Sequence, residues 1–365
     1  MIINKYYKYL IKPDIRQKQI IDDTFAAVNL VHNCYLSDLE KGIRMEKRAV
    51  DIAARYKKEY PFLKQIDGSA IMNEIFHCQD AGKKHRRYRS ENESMNSYCT
   101  ANLPKSPVRI LNGEYLCVTK LGKVKMVYSR PIPEKAVIKA ACIMRCPDGK
   151  YYASILIAYE KKKETYVIDP DKSIGIDYSS PHFFVDDKGN RVDMPHYFEE
   201  SEKRIHKETK KLHRMVKGSN NYKKQKLKIA RIHAHVKNQR MDFLHKLSSD
   251  IANRYDVVCM EDLNMEQIAS RFSLAKRTYD NAFGIFQNLL KYKMEEQGKK
   301  ILYTDRYYPS SKTCGHCGYI NNGLRIDERI WICPGCGMIH DRDVNAAKNI
   351  RKNCLERYYG RRVSG

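Results

Sequence analysis

The order of hydrophobic and polar residues predicts one strand followed by helices at the start of the chain. Residues 4–12 (NKYYKYLIK) have the alternation of a basic, aromatic strand. Pro13 and Asp14 then end the strand and are suited to starting a helix. Apolar residues recur at helical steps from residue 16 to about residue 60, and residues 68–79 indicate another helix.

The next part of the chain changes from a polar segment to alternating stretches. Residues 82–107 are polar, basic and rich in Ser and Asn, which favours a loop or a nucleic-acid contact. Beyond them, LCVTKLGKVKMVY and YYASILIAYE, separated by the turn-like PDGK, predict an antiparallel β-module from about 107 to 167. The simplest interpretation of residues 1–167 is therefore a β-module with a helical insert after its first strand.

The second half alternates apolar strand segments with helical segments, which predicts an α/β sheet. The strand segments are SIGIDYSS, its hairpin partner FFVDDKGNRV, DVVCME and KILYTD. The helical segments are a long basic region, 201–252, interrupted at KGSNN, and the amphipathic NAFGIFQNLLKYKMEEQGKK, which ends near Gly298. A polar connector, KKKETYVIDPDK, begins at residue 161 and separates the two halves.

The net positive charge of the chain predicts a polyanionic partner. The 365 residues, enough for two or three domains, carry a net charge of +25. The excess is clustered, because residues 203–246 hold fifteen Lys or Arg and two Asp or Glu. Nucleic acid is the partner that this pattern favours, although charge alone also fits a ribosomal or membrane-surface protein. The candidate contacts with nucleic acid are Lys223, Lys224, Lys226, Arg231, Lys237 and Arg240.

The apolar runs are too short for a membrane span, which needs about 18 residues or more. The start, MIINKYYKYLIKP, is charged and lacks the apolar stretch and small-residue cleavage site of a secretion signal. We therefore expect a soluble cytoplasmic protein, associated with the nucleoid and without a membrane partner. The oligomeric state stays open.

Two Cys-x-x-Cys pairs predict a zinc ribbon. Cys314, Cys317, Cys333 and Cys336 have the spacing C-x2-C-x15-C-x2-C, which falls within the recognised zinc pattern. A glycine follows each pair and suits a tight knuckle. Four thiolates leave no open coordination position, so the zinc is expected to be structural. His340, four residues beyond the last cysteine, is a possible competing ligand, but a surface or phosphate-contact role is favoured.

The other eight cysteines show no framework spacing. In a large, unsecreted chain we expect them to be reduced thiols, several of them in the core. They are Cys34, Cys78, Cys99, Cys117, Cys142, Cys146, Cys259 and Cys354.

Three separated acids form the candidate catalytic site. Asp177 ends the strand IGID, Glu261 ends VVCME, and Asp343 lies at the expected start of a helix in HDRDVNAAKNI. Carboxylates at adjacent strand ends of an α/β sheet converge. Three of them can hold two Mg²⁺ or Mn²⁺ ions about 4 Å apart, one to generate the attacking hydroxide and one to stabilise the leaving 3′ oxygen.

Each acid also has an ordinary structural interpretation. A single Asp at a strand end is usually a turn or cap residue, and both Asp341 and Asp343 fit helix capping. The combination favours catalysis, because three acids follow buried segments and one lies directly beyond a zinc ribbon in a strongly basic chain.

These residues resemble the TnpB family of transposon-encoded RNA-guided nucleases, which are related to compact type V CRISPR effectors. YYPSSKTCGHCG and WICPGCGMIHDRDVNAAKNI resemble the C-terminal signature of that family. VVCMEDLNM and SIGIDYSS resemble its middle and first acidic motifs, and YKYLIKPDIRQKQIIDDTFAAVNLVHNCYL and TKLGKVKMVYSRPIP resemble its N-terminal segments. The resemblance therefore extends over nearly the whole chain.

The resemblance implies a fold of the α/β plus β-barrel class. Its parts are a wedge-like β-barrel module (1–14 and 105–167), a helical recognition insert (15–104), a RuvC (RNase H-like) nuclease domain (168–313 and 337–365) and a zinc-ribbon insert (314–336). It also implies that Asp177, Glu261 and Asp343 are the catalytic acids and bind magnesium. Asn345 would then brace the site. Ser179 departs from the family, since many relatives have glycine two residues after the first acid.

The implied function is RNA-guided cleavage of double-stranded target DNA beside a short flanking motif, with Mg²⁺ or Mn²⁺, Zn²⁺ and a guide RNA as cofactors. Two alternatives stay open: an RNA-guided repressor that binds DNA without cutting it, and a DNA transposase. The guide type, the flanking motif and the cut positions are not specified by the sequence.

Overall fold

The computed structural model describes residues 2–43, 46–80, 88–89, 96–104, 107–160, 167–179, 182–195, 197–263, 282–325 and 327–363. The chain divides into two compact units, Met1–Lys162 and Lys163–Gly365. Among the described residues, no helix is both long and apolar enough to cross a membrane.

The first unit contains a seven-stranded antiparallel sheet in the order β2-β6-β7-β1-β5-β4-β3. Its strands are β1 (Ile2–Lys12), β2 (Ser97–Ala101), β3 (Arg109–Leu111), β4 (Tyr115–Val118), β5 (Gly122–Val127), β6 (Val137–Arg145) and β7 (Tyr151–Glu160). The first strand is interior and pairs with β7 along nearly its whole length. The predicted first strand and β-module are thus confirmed, as an open sheet of the half-barrel kind.

Two expectations for this sheet were wrong. Residues 97–101, inside the segment predicted to be a loop, form β2, where Tyr98 and Thr100 are buried. A short strand within a polar sequence gives too few apolar positions for its alternation to stand out. Cys99 and Cys142, expected to be free thiols, form a disulfide because β2 and β6 place them directly opposite each other.

Helices follow the first strand, as predicted, but the stretch from 16 to 60 is divided. The elements are α1 (Ile15–Glu40), α2 (Ala49–Glu59), a 3-10 turn (Pro61–Gln65) and α3 (Gly68–Asp80). The carboxylate of Asp14 accepts a hydrogen bond from Gln17 N, and the Gln17 side chain accepts one from Asp14 N, which forms a capping box. After α1, Gly42 adopts a positive φ of 70°, which ends the helical path.

The second unit contains a mixed five-stranded sheet in the order β10-β9-β8-β11-β12. Its strands are β8 (Ser173–Asp177), β9 (Phe184–Asp186), β10 (Arg191–Val192), β11 (Val257–Met260) and β12 (Lys300–Tyr303). β8, β11 and β12 are parallel, and β9 and β10 continue from β8 as antiparallel neighbours. The predicted strands of this half are confirmed; the connector at 161–166 lies outside the described residues.

The other elements of the second unit are α4 (Tyr197–His213), α5 (Asn220–Arg254), α6 (Phe283–Glu296), β13 (Ile330–Ile332), β14 (Ile339–Asp341) and α7 (Arg342–Val363). The predicted interruption of the basic helical region falls between α4 and α5. α7 packs very closely on β8 at Gly175, where a Cβ atom would lie 2.1 Å from the carbonyl oxygen of Ala347. This contact brings the start of α7 to the end of β8.

Candidate functional site

The three predicted acids line one cavity of about 230 Å³ in the second unit. Asp177 directly ends β8, and Glu261 directly follows β11. The parallel register pairs Ile176 with Met260, so the two acids leave neighbouring strands at the same edge. Asp343 is the second residue of α7. The remaining lining residues are Tyr178, Ser179, Ser310, Ser311, Arg329 and Arg342.

The cavity concentrates negative charge in a buried place. Burial raises the pKa of Asp177 well above its ordinary value, and the carboxylates of Glu261 and Asp343 raise it further. Arg342 and Arg329 oppose this shift in the pKa. Burial also raises the pKa of Glu261, against a hydrogen bond from Ser310 that lowers it. Crowded carboxylates of this kind favour a cation among them.

Two serine hydroxyls orient two of the acids. Ser179 Oγ donates to Asp343 Oδ2 at 3.2 Å, and Ser310 Oγ donates to Glu261 Oε1 at 2.5 Å. Both serines are buried, with 3% and 5% of their surface exposed. Sequence reasoning considered Ser179 only for its size and missed Ser310 altogether. The motif YYPSSKTC gives no periodic signal that would separate Ser310 from its neighbour Ser311.

Arg329 was also missed by sequence reasoning. Its Nη1 lies 2.9 Å from Asp343 Oδ1 and 3.0 Å from Oδ2, so one nitrogen bridges both carboxylate oxygens. Arg329 lies just before β13, between the two cysteine pairs, and about half of its side chain is exposed. A cation therefore already contacts this carboxylate.

Asp341 and Asp343 have different environments, although both fit a helix cap in sequence. Asp341 Oδ1 accepts hydrogen bonds from Asp343 N at 3.1 Å and Val344 N at 3.0 Å, which caps the start of α7. Arg191 Nη2 contacts its other oxygen at 2.5 Å. The carboxylate of Asp343 instead lines the cavity.

The four predicted zinc cysteines come together. The sulfur atoms of Cys314, Cys317, Cys333 and Cys336 all lie within 4.8 Å of one another. Each pair forms a knuckle, in which the amide of the following glycine donates to the carbonyl of the first cysteine at 2.9 Å. These two glycines have φ values of 79° and 72°, a conformation that favours glycine. The donor set and its spacing fit a tetrahedral zinc ion.

His340 faces this cluster rather than lying only at the surface. Its Nε2 atom is 3.0 Å from Cys314 Sγ, and its ring centroid is 4.9 Å from that of Trp331. Burial lowers the pKa of His340, and so do His316 and Lys348. A neutral imidazole next to a thiolate can donate a hydrogen bond to it.

Two asparagines connect the cysteine cluster to the helix that bears Asp343. Asn345 accepts a hydrogen bond from Gly315 N at 2.9 Å and donates one to Thr313 O at 2.7 Å. Asn349 donates to Ser310 O at 2.8 Å and also to Thr313 O at 2.6 Å. Both side chains are buried. Asn345 therefore braces the backbone, and the ribbon is coupled to the cavity.

The six candidate nucleic-acid contacts all lie on α5, and they do not converge on the cavity. Lys223, Lys224, Lys226, Arg231 and Lys237 are exposed, while Arg240 is partly buried. At about 100° per residue, the five exposed side chains occupy the side of α5 opposite to Gln225, Ile232 and Val236, which are buried. α5 thus has one packed face and one basic face.

Two parts of the chain match family models of known proteins. Residues 156–271 match the family model OrfB_IS605, described as "Probable transposase", and residues 283–350 match "Cas12f1-like, TNB domain". A "Putative RNA-guided DNA endonuclease" of Streptomyces pristinaespiralis is 30% identical over 365 residues, covering 95% of this chain and 89% of that protein. A "TnpB-like protein L79" of Acanthamoeba polyphaga mimivirus is 30% identical over 169 residues, 43% of this chain and 32% of that protein.

A solved structure supports the same fold. The protein in a cryo-electron microscopy structure of a Cas12f1–sgRNA–target DNA complex aligns with a TM-score of 0.50 at 14% identity, covering 92% of this chain and 81% of that one. At 14% identity this alignment shows a shared fold. This chain belongs to the TnpB family.

Proposed function

We propose that this protein is an RNA-guided DNA endonuclease that hydrolyses target DNA at one metal-dependent site. The observation that carries the proposal is that Asp177, Glu261 and Asp343 line one cavity although they are far apart in sequence. Relatives named as RNA-guided DNA endonucleases support the same activity. The mixed sheet, with β8 central between antiparallel and parallel neighbours, supports a RuvC (RNase H-like) nuclease domain.

The donor set of the cavity fits hard divalent cations. Carboxylate oxygens are the ligands that Mg²⁺ and Mn²⁺ prefer. Burial raises the pKa of Asp177, and repulsion from Glu261 and Asp343, which a cation would relieve, raises it further. When bound, two such ions would activate a water molecule and stabilise the leaving oxygen of a phosphodiester. The residues of the chain hold and orient this site: Ser179 and Ser310 each keep a carboxylate in place.

The cysteine cluster and the basic helix support the remaining parts of the proposal. Cys314, Cys317, Cys333 and Cys336 would hold a structural Zn²⁺, which keeps the segment bearing Arg329 next to the acids. The exposed basic face of α5, formed by Lys223, Lys224, Lys226, Arg231 and Lys237 with Arg240 beside it, would contact the phosphates of guide RNA or target DNA. The guide would read the target by base pairing, while the protein reads a short flanking motif.

Cleavage of a plasmid by the protein purified with its RNA tests this proposal. In Mg²⁺ the parent is expected to make double-strand breaks beside the guide-matched sequence. Asp177→Ala and Glu261→Ala are expected to lose cleavage but keep guided DNA binding, measured by gel shift. Asp171→Ala, which changes an exposed acid in the turn before β8, is the matched control and is expected to cleave like the parent.

The outcomes separate the alternatives. Guided binding by the parent without any cleavage would favour a repressor and overturn the nuclease assignment. Strand-transfer products in place of simple breaks would favour a transposase. Cleavage by Asp177→Ala at the parent rate would show that the acids do not form the site.

A further inference from the structure

The helices of the first unit hold a buried group of three side chains that can bind a metal. His32 lies on α1, and Glu74 and Cys78 lie on α3. Their ligand atoms are all within 4.8 Å of one another, and the three residues are 6%, 6% and 1% exposed. This group is separate from the acid cavity and from the zinc ribbon, both of which belong to the second unit.

Local structure explains how the three side chains meet. Glu74 and Cys78 are four residues apart, so they project from the same face of α3. That face packs on α1 through buried apolar residues, among them Val31 and Ile75. His32 directly follows Val31 and turns its ring towards α3.

The distances converge on a common centre. His32 Nδ1 is 2.8 Å from Glu74 Oε1 and 3.3 Å from Cys78 Sγ, and this sulfur is 3.9 Å from Glu74 Oε1. A point about 2 Å from all three atoms satisfies these distances, which is close to the bond lengths of zinc to nitrogen, oxygen and sulfur. A single ring nitrogen carries one proton or one lone pair, so it can form a strong in-plane bond with one neighbour at a time. A cation at the centre would be coordinated by all three atoms at the same time.

We propose that His32, Glu74 and Cys78 bind a zinc ion that fastens α1 to α3, in addition to the zinc of the ribbon. Thiolate and imidazole ligands favour zinc over magnesium or calcium. Binding would release the thiol proton of Cys78, and the thiolate and the carboxylate would then balance the charge of the ion. A water molecule or the second oxygen of Glu74 would complete four-fold coordination. The near-complete burial of the ligands indicates a structural ion rather than a catalytic one.

Arg89 is the competing cation at this site. Its Nη2 lies 2.8 Å from Glu74 Oε1, so the guanidinium contacts the same carboxylate and would leave the zinc-bound group with one net positive charge. A zinc ion must share the carboxylate with Arg89, which makes this site weaker than the four-cysteine ribbon. Arg89 contacts the carboxylate but supplies no ligand for the sulfur or the ring nitrogen.

The zinc content of the full-length protein tests the proposal. After equilibration with zinc and removal of loosely bound metal, elemental analysis is expected to give two zinc ions per parent chain. Cys78→Ser and the near-isosteric Glu74→Gln are each expected to give one. Cys34→Ser is the matched control, because it changes a thiol on α1 two residues from His32 that contacts Tyr60 instead, and it is expected to keep two.

A variant that fails to fold could also lose zinc, so a second measurement is needed that detects the metal–thiolate bond directly. In Cys333→Ser/Cys336→Ser, which disables the ribbon in the other unit, added Co²⁺ is expected to give a thiolate charge-transfer band. The band should vanish when Cys78→Ser is added, with helical circular dichroism retained. One zinc per parent chain at saturation, or no cobalt–thiolate band in the ribbon variant, overturns the proposal. Neither result depends on DNA cleavage, so the proposed nuclease function is tested separately.

Discussion

Ser179 Oγ donates a hydrogen bond to Asp343 Oδ2 at 3.2 Å, across 164 positions of the chain. The bond joins the turn after β8 to the start of α7, which are the two segments that carry the first and third acids of the cavity. A glycine at this position would offer no hydroxyl to that carboxylate. In this protein Ser179 therefore orients the carboxylate of Asp343, in addition to being small enough for the turn.

Ser179→Ala is expected to slow DNA cleavage, because Asp343 loses the donor that orients it. A hydrogen bond to a charged group is worth about 1.5 kcal/mol or more, so the single-turnover rate should fall by about tenfold. Ser311→Ala is the control, since Ser311 lines the same cavity without a hydrogen bond to any of the three acids among the described residues. Equal rates for the two alanine variants would show that the Ser179 bond does not matter for cleavage.

Arg329→Ala is expected to strengthen the binding of Mn²⁺ to the DNA-free protein. The guanidinium contacts both oxygens of Asp343 and competes with a metal for them. Because about half of the arginine side chain is exposed, the gain should be only about two- to fivefold in the dissociation constant measured by calorimetry. Arg325→Ala is the control, because this exposed ribbon arginine pairs with Asp327 instead. Weaker Mn²⁺ binding by Arg329→Ala would contradict competition.

Asp177→Asn is expected to abolish cleavage and yet stabilise the metal-free protein. Burial, followed by Glu261 and Asp343, raises the pKa of Asp177, so its ionised form is less stable in the folded protein than in the unfolded chain. The parent should therefore lose stability as the pH rises through the raised pKa, while the amide variant should not. At neutral pH the melting temperature should rise by about 2–4 °C. If the gain in melting temperature does not grow from acidic to neutral pH, this explanation is refuted. Asp171→Asn, at an exposed acid before β8, is the control and should show no such gain.

Glu208→Gln is expected to destabilise the α4–α5 pair at neutral pH. Hydrogen bonds from Gln225 and Lys228 lower the pKa of Glu208 from its ordinary value of 4.5 to about 2. A lowered carboxyl pKa stabilises the fold above the ordinary value, and this stabilisation is lost as the pH falls towards the folded value. The difference between parent and variant in urea midpoint should therefore shrink below about pH 4.5. Glu200→Gln, an exposed acid on α4, should show no such trend.

Gly175→Ala is expected to be strongly destabilising. Its Cβ atom would lie 2.1 Å from the carbonyl oxygen of Ala347, so β8 and α7 would have to separate. Overpacking against backbone costs about 3 kcal/mol or more, measurable as a lower urea midpoint. Gly360→Ala is the control, because this glycine is in α7 with nothing within 4 Å of a Cβ atom. A Gly175→Ala variant as stable as the parent would show that the two elements can move apart cheaply.

Much of the fold could be predicted because its signals are local. The alternation in NKYYKYLIK, the apolar SIGID and VVCM strands and the basic helices have periods of a few residues, and each element formed where expected. The knuckle glycines, which follow each cysteine pair directly, are equally local. β2 was missed because five residues within a polar segment give too little periodicity.

The sequence by itself determined most of the strands and helices, the paired cysteine knuckles and the placement of Asp177 and Glu261 after buried strands. The family resemblance favoured Asp343 over Asp341 as the third acid, and only the tertiary structure decided that Asp343 lies in one cavity with Asp177 and Glu261. It also decided that Ser179, Ser310 and Arg329 contact the acids, that Cys99 joins Cys142, and that His32 meets Glu74 and Cys78. The physical reason is that these contacts depend on strand register and helix packing between distant segments. A one-dimensional pattern of polarity does not contain that information.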